Sequence, residues 1–252
     1  TTGVMLPNII QDVKDNASVI IIDIKYPDTG LFDAVGWFHK AGMPVHVFTP
    51  YGDETKYLPL LEGGTDRFQA RAIAEMIMTP TKATSADGDY YRLQAIPVLA
   101  NLIISTLRNG ETRLGAVLEL LDKNINWVNT AIIDIPEAER SPGVAVYLSQ
   151  RVPDQSKILS GIVNRLIMWG NPKIDNATSI PADNDRRMPL DRIGIDPGLW
   201  YFGVTNAEVG SDSGKALLRL IFRQLEQALK RNAASQGGYL PNITTWNLDE
   251  FL

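Results

Sequence analysis

Two adjacent carboxylates, Asp249 and Glu250, are the residues of this 252-residue chain best placed by type and spacing to do chemistry. They follow Ile243-Thr-Thr-Trp-Asn-Leu248, a run rich in β-branched and aromatic residues that suits a strand. Pro241-Asn242 marks the turn before it. Ligands of open α/β sheets bind beyond the carboxyl ends of the strands. An acidic pair at such an end suits metal-assisted phosphate chemistry, with one carboxylate orienting a magnesium ion and the other a water. The plainer alternative is an exposed Asp-Glu dipeptide. At the opposite end of the sequence, Thr1 and Thr2 open a helix. Were Gly-Lys to precede them, Thr1 would be the magnesium-binding hydroxyl of a phosphate loop; otherwise it is a boundary residue without a role. Asp23 ends a second strand-like run, and Lys25 follows it closely.

Other candidates fall away on their chemistry. Gly210-Ser-Asp-Ser-Gly-Lys-Ala216 looks like a phosphate loop, but its glycines stand one residue too close, and Ala216 occupies the position that needs a hydroxyl. It reads instead as the cap of the helix that follows. His39 and His46 sit on different predicted elements and read as incidental rather than as a metal pair. The chain has no cysteine, so disulfides and thiolate metal sites are excluded. Net charge is −5 with no basic tail, so any nucleic-acid contact must be local. Arg186-Arg187, the adjacent basic pair of its segment, is either a partner contact or a solvated pair. No run reaches the roughly 18 apolar residues of a membrane span, so a soluble polypeptide is expected.

The elements that must position these residues follow from periodicity. Ala17-Ser-Val-Ile-Ile-Ile-Asp-Ile24 is a continuous apolar run, the pattern of a strand buried on both faces of a parallel sheet. Tyr26 to Gly30 reads as a loop, Leu31 to Ala41 as a helix stopped by Gly42, and Pro44 to Thr49 as a second strand. From Asp66 to Trp169 the pattern is helical. Segments at 68–78, 90–107, 112–121 and 155–169 are predicted helices, with Thr112 as a cap and Pro97 inside the second; 124–133 is ambiguous. Asn171 to Gly198, rich in Pro, Asp and Asn, reads as a return linker. Leu199 to Thr205 is a strand and Ala216 to Ala233 an amphipathic helix. The expected architecture is therefore α/β: β-α-β, a helical insertion, then β-α-β. The expected division is an α/β part at 1–60, an all-α domain at 61–190 and a continuation of the α/β part at 191–252.

In order and spacing these segments resemble conjugative coupling proteins of the TraG/TraD type, the DNA-pumping ATPases of type IV secretion within the FtsK/HerA group. Thr2-Gly-Val-Met-Leu-Pro-Asn-Ile-Ile10 is similar to the segment after that family's Walker A lysine. Ser18 to Lys25 is similar to its next strand, which typically ends Asp-Pro-Lys-Gly; here Ile24 and Tyr26 replace the Pro and the Gly. Gly36-Trp37 and Gly42-Met-Pro-Val-His-Val-Phe-Thr-Pro50 follow the pattern, and Leu248-Asp-Glu-Phe251 resembles Walker B. The middle third matches mainly in helical character.

This resemblance implies a RecA-like, mostly parallel sheet of the P-loop NTPase type with an inserted all-α domain. It implies ATP and magnesium as cofactors, with Asp249 and Thr1 toward the metal, Glu250 polarising the attacking water, and Thr2, Asp23 and Lys25 near the nucleotide or a subunit interface. It further implies DNA, relaxase-like secretion substrates and channel components as partners, a hexameric parent, and a place at the cytoplasmic face of a membrane through segments outside this sequence. On the same reading the chain is a fragment running from Walker A to Walker B, with little ATPase activity alone. Two other readings remain open: a substrate-docking helical module on a non-catalytic frame, and a metal-dependent α/β enzyme using Asp249 and Glu250 without ATP.

Overall fold

The computed structural model describes residues 2–52, 55–80 and 85–248. The chain opens with α1 (Thr2–Lys14), β1 (Ser18–Asp23), α2 (Asp33–Lys40) and β2 (Val45–Phe48). A helical series follows: α3 (Arg67–Met78), α4 (Ala86–Arg108), α5 (Leu114–Leu121), α6 (Ile125–Ile133), α7 (Val144–Leu148), α8 (Val152–Leu166) and α9 (Pro172–Ala177). The last elements are β3 (Gly198–Gly203), α10 (Asn206–Val209), α11 (Asp212–Ser235) and β4 (Thr244–Leu248). Two compact units result. One comprises Thr1–Leu58, Pro181–Gly210 and Ile221–Leu252; the other comprises Pro59–Ile180 and Ser211–Leu220.

The first unit is built on a four-stranded, all-parallel sheet of order β2-β3-β1-β4. The α/β class expected from the apolar runs is thus present. β1 and β3 are central and buried along their whole length, which is why Val19 to Ile22 can be apolar on both faces. The chain leaves β1 and passes β3 to reach β2. It leaves β3 and passes β1 to reach β4. Right-handed connections running in opposite directions must lie on opposite faces of the sheet. Side-chain packing agrees. Ala34 and Phe38 of α2, with Met5 and Ile9 of α1, pack against Val19, Ile21, Leu199 and Tyr201. On the other face, Phe222 of α11 stacks on Trp246 at 6.1 Å between ring centroids; Trp246 lies opposite Ile20 in the register. Each fully buried Ile or Phe here contributes roughly 1.5–3 kcal/mol relative to exposure.

The second unit is helical and organised around α4, buried on all sides from Ala95 to Thr106. A helix apolar all round belongs at a core, and α3, α6, α7 and α8 pack against it. Pro97 lies inside α4. Near it the buried Asn101 makes a polar cross-tie: Nδ2 donates to the carbonyls of Pro97 (2.7 Å) and Ser141 (3.3 Å), and Oδ1 accepts from the Ser141 amide at 3.1 Å. A second tie is ionic. Buried Asp175 of α9 accepts from the Gly115 amide at 2.7 Å and from Arg113 Nη1 at 2.9 Å. Gly115 has to be glycine, because an added Cβ would lie 2.2 Å from the Asp175 carboxylate.

Several local expectations change. α5 starts at Leu114, not Thr112; the Thr112 hydroxyl instead accepts a tertiary bond from the Ile180 amide at 3.3 Å. The ambiguous 124–133 stretch is a helix because the Asn124 side chain caps it, accepting from the amides of Asn126 and Trp127. The Pro- and Asp-rich 171–198 stretch is not a plain linker. Asn171 accepts from the Lys173 amide and Pro172 sits at the helix start, so α9 forms there. Among the described residues, no helix is long and apolar enough to cross a membrane.

Candidate functional site

The two sheet connections leave the adjacent strands β1 and β3 in opposite directions, so a crevice is expected beyond their carboxyl ends. Asp23 and Gly203, the last residues of these strands, face each other in the register. The Val204 amide donates to the Asp23 carbonyl at 2.9 Å, extending the pairing one step further.

Asp23 is wholly buried, and its carboxylate takes hydrogen bonds from three parts of the chain. Oδ1 accepts from the Lys25 amide at 3.0 Å. Oδ2 accepts from the Tyr201 hydroxyl at 2.6 Å and from the Thr29 hydroxyl at 2.5 Å. Such short contacts are typical of hydroxyls donating to a carboxylate, and they offset the cost of burying the group. Thr29 Oγ1 in turn accepts from the Leu31 amide at 3.2 Å. Asp23 therefore fastens the whole 25–31 loop to the end of β1 and to β3.

The Tyr201 ring that reaches this carboxylate belongs to an edge-to-face trio: Tyr26 with Phe32 at 5.4 Å, Phe32 with Tyr201 at 5.3 Å and Tyr26 with Tyr201 at 6.2 Å. A Cβ on Gly203 would stand 2.9 Å from ring atoms of both Tyr201 and Tyr26. Glycine is required there for the rings to close over the strand end. Just past β3, Glu208 Oε2 accepts from the Thr205 amide at 3.0 Å. Burial pushes the Glu208 carboxyl up to about 7, against the lowering effect of that hydrogen bond. It can hold or release a proton near neutral pH.

The sequence-derived candidates distribute as follows. Asp23 and Lys25 stand together at the carboxyl end of β1, Lys25 joining Asp23 through its main-chain amide. Thr2 is the first residue of α1. Thr1, Asp249 and Glu250 lie outside the described residues; β4 is described to Leu248, opposite Ile22 of β1. No group of three or more acidic or histidine side chains with metal-binding spacing occurs among the described residues. His46 packs at a 45° tilt against Trp200, with ring centroids 5.3 Å apart; burial, and then the neighbouring Lys56 charge, pull its pKa down to about 4. The Arg186 guanidinium lies 4.7 Å over the Tyr57 ring, and Arg187 bridges Tyr57 along the backbone, so this basic pair is tied to its own unit. Within Gly210–Ala216, Ser211 Oγ accepts from the Gly214 amide at 2.9 Å, the geometry of a helix cap. Thr29, Tyr201 and Glu208 are additions that sequence reasoning missed. Nothing in their local pattern separates them from an ordinary loop threonine, strand tyrosine and helix glutamate.

No family model matches the chain, and no curated protein matches it. Solved structures do. Plasmid coupling protein TrwB in complex with the GTP analogue GDPNP matches at 10% identity and a TM-score of 0.47, over 95% of this chain and 65% of that one. The unbound bacterial conjugative coupling protein TrwBΔN70 matches at 8% identity and 0.49, over 95% and 64%. TrwB with ADP and Mg2+ matches at 8% identity and 0.48, over the same shares. The chain is thus remotely similar to these coupling-protein structures and spans about 65% of their length.

Proposed function

We propose that this chain is the motor region of a conjugative coupling protein: a RecA-like nucleotide-hydrolysing unit interrupted by a helical domain that receives substrate. The observation carrying this reading is the strand arrangement. β1 lies between β3 and β4, all parallel, with Ile22 opposite Leu248. The strand that ends in Asp23 and the strand that leads in sequence to Asp249-Glu250 are therefore neighbours. The neighbouring strand ends Ile22 and Leu248 support a reading in which the motifs that follow them in sequence share one carboxyl edge.

Within this reading Asp23 shapes the site, its carboxylate holding two hydroxyls and an amide in place. It holds the 25–31 loop, and with it Lys25, at the nucleotide edge. Thr1, Thr2 and Asp249 are the residues assigned to ATP and its magnesium ion. That ion would neutralise charge on the phosphates during in-line attack. Glu250 orients the attacking water and accepts its proton. Residues 1–60 and 191–252 form the nucleotide-binding part and 61–190 the docking part. DNA, relaxase-like substrates, channel components and a hexameric ring at the membrane's cytoplasmic face belong to the whole protein.

The test is turnover in the longest natural form of the polypeptide. Glu250→Gln is expected to lower kcat for ATP at least about 100-fold while leaving nucleotide affinity within about threefold. Wild-type turnover in that variant would remove Glu250 from the reading. Failure of the natural protein to bind nucleotide would remove the motor.

A further inference from the structure

A second site lies in the helical unit, independent of the sheet. A cavity of about 150 Å³ opens between the start of α4 and the middle of α8. Its floor is apolar, made by the buried Met78, Ala95 and Ile158. Its polar lining is almost entirely cationic: Arg92, Lys157 and Arg165, with Tyr91 between them.

The arginines are held but not exhausted. Arg165 is only 15% exposed, and among the described residues it engages Nη1, which meets Asp212 at 3.0 Å and the Thr79 carbonyl at 3.3 Å. Arg92 Nε meets Asp89 at 3.2 Å. A guanidinium carries five N–H donors. Among the described residues, the remaining donors of both arginines find no protein acceptor. Lys157 Nζ sits 3.4 Å from the Tyr91 hydroxyl and 5.6 Å from its ring centroid, with Asp154 at 3.6 Å. A fourth cation stands behind these. Arg219 Nη2 shares the Thr79 carbonyl at 3.1 Å, while its Nε is buried without a partner. Burial, and then the Arg165 charge, push the Arg219 guanidinium down. Arg165 and Arg219 share one neutral carbonyl and one carboxylate, Asp212, so two positive charges face a single negative one beside an apolar floor, where an anion is held more strongly than in water.

Gly161 completes the case. It lies in the interior of α8, where glycine weakens a helix. An added Cβ would meet nothing within 4 Å, so packing does not demand glycine. What glycine leaves there is room in the cavity.

We propose that this cavity binds a phosphoryl group, gripped by Arg92, Lys157 and Arg165 with the Tyr91 hydroxyl as a neutral donor. The volume suits one tetrahedral oxyanion, whether free phosphate or one phosphodiester of a nucleic-acid backbone. Forked guanidinium donors match its oxygens.

The experiment is calorimetric and thermal-shift titration of the full chain with inorganic phosphate against chloride of equal ionic strength. A parallel arm uses a labelled single-stranded oligonucleotide. Gly161→Leu should fill the cavity, abolish phosphate binding and keep or raise Tm. The double variant Arg92→Gln/Lys157→Gln should weaken binding about tenfold or more, and Lys230→Gln, which removes a charge elsewhere, should leave it unchanged. Phosphate signal indistinguishable from chloride would overturn the proposal. So would binding that survives both Gly161→Leu and the double variant. Oligonucleotide affinity falling with the same variants identifies a phosphodiester as the ligand. Loss confined to inorganic phosphate identifies the free anion. Either result upholds the site.

Discussion

The two units bury a carboxylate in opposite ways. In the sheet unit Asp23 is satisfied by neutral donors: two hydroxyls and an amide. In the helical unit Asp175 is satisfied by a charge, Arg113, and by the Gly115 amide. Burial pushes the Asp175 carboxyl up, and the amide and the guanidinium hold it back. Arg113 also meets Glu111 and Glu119 at 3.3 Å, so the ion pair belongs to a surface-linked network. Asp175 staples α9 to the start of α5. Asp23 instead gathers a loop and two strand ends through two short hydroxyl contacts and one amide. The contrast separates a clamp, which needs strength, from a scaffold, which needs placement.

The largest stability effect should come from breaking the clamp. Asp175→Ala leaves Arg113 without its buried partner, although Arg113 is partly exposed and keeps two glutamates. The expected loss is about 2–3 kcal/mol, below the usual cost of splitting a fully buried pair. Denaturant titration measures it. Amide exchange should report opening at α5 and α9 and leave β1 protected. Equal exchange at β1 would erase the contrast between the two carboxylates.

Breaking the scaffold should cost less. Tyr201→Phe removes one hydroxyl from Asp23, while Thr29 and the Lys25 amide remain. A loss of about 1–2 kcal/mol is expected, concentrated in the 25–31 loop. A nucleotide affinity that falls further than global stability would mark Asp23 as a positioning residue. Unchanged affinity would leave it purely structural.

The smallest effects are in pH, and they have opposite signs. Glu208 has a folded pKa raised to about 7, so the folded state binds more protons than the unfolded one between roughly 4.5 and 7. Its contribution is lost as pH rises through that window. His46 has a folded pKa lowered to about 4, so its contribution is lost as pH falls from 6.5 toward 4. Glu208→Gln should flatten the neutral limb of the Tm–pH curve and His46→Leu the acid limb. Each change is on the order of 1 kcal/mol once solvent is allowed for, or about 2–4 °C. A curve unchanged by either substitution would mean that both groups keep their ordinary values in solution.

How much of this was legible in advance depends on the range of the interaction. Val19-Ile20-Ile21-Ile22 announces a strand buried on both faces, because an uninterrupted β-branched run has no solvent side to offer. Ala95 to Thr106 announces a core helix by the same logic. The α/β class was readable for that reason. The cap at Asn124, where one side chain meets its own next turn, is local, yet the 124–133 stretch stayed ambiguous in the sequence. A cap was misread at Thr112, where the hydroxyl found a partner 68 residues away. The candidate site divides along the same line. Asp23 could be suspected from its place at the end of an apolar run, and Lys25 from the coupling-protein pattern. Tyr201 and Thr29 could not, since nothing local marks a tyrosine whose hydroxyl reaches an aspartate 178 positions earlier.

The sequence by itself determined the α/β class, the buried strand at Val19–Ile22 and most of the long helices, and it raised an acidic strand end as a candidate ligand site. These are local consequences of side-chain shape and of period-2 or period-3.6 apolar spacing. Only the tertiary structure decided the order β2-β3-β1-β4, the pairing of Asp23 with Gly203, the Asp175 clamp and the cationic cavity. Each depends on which distant residues share a neighbourhood, and that is set by the packing of whole elements rather than by any one stretch of chain.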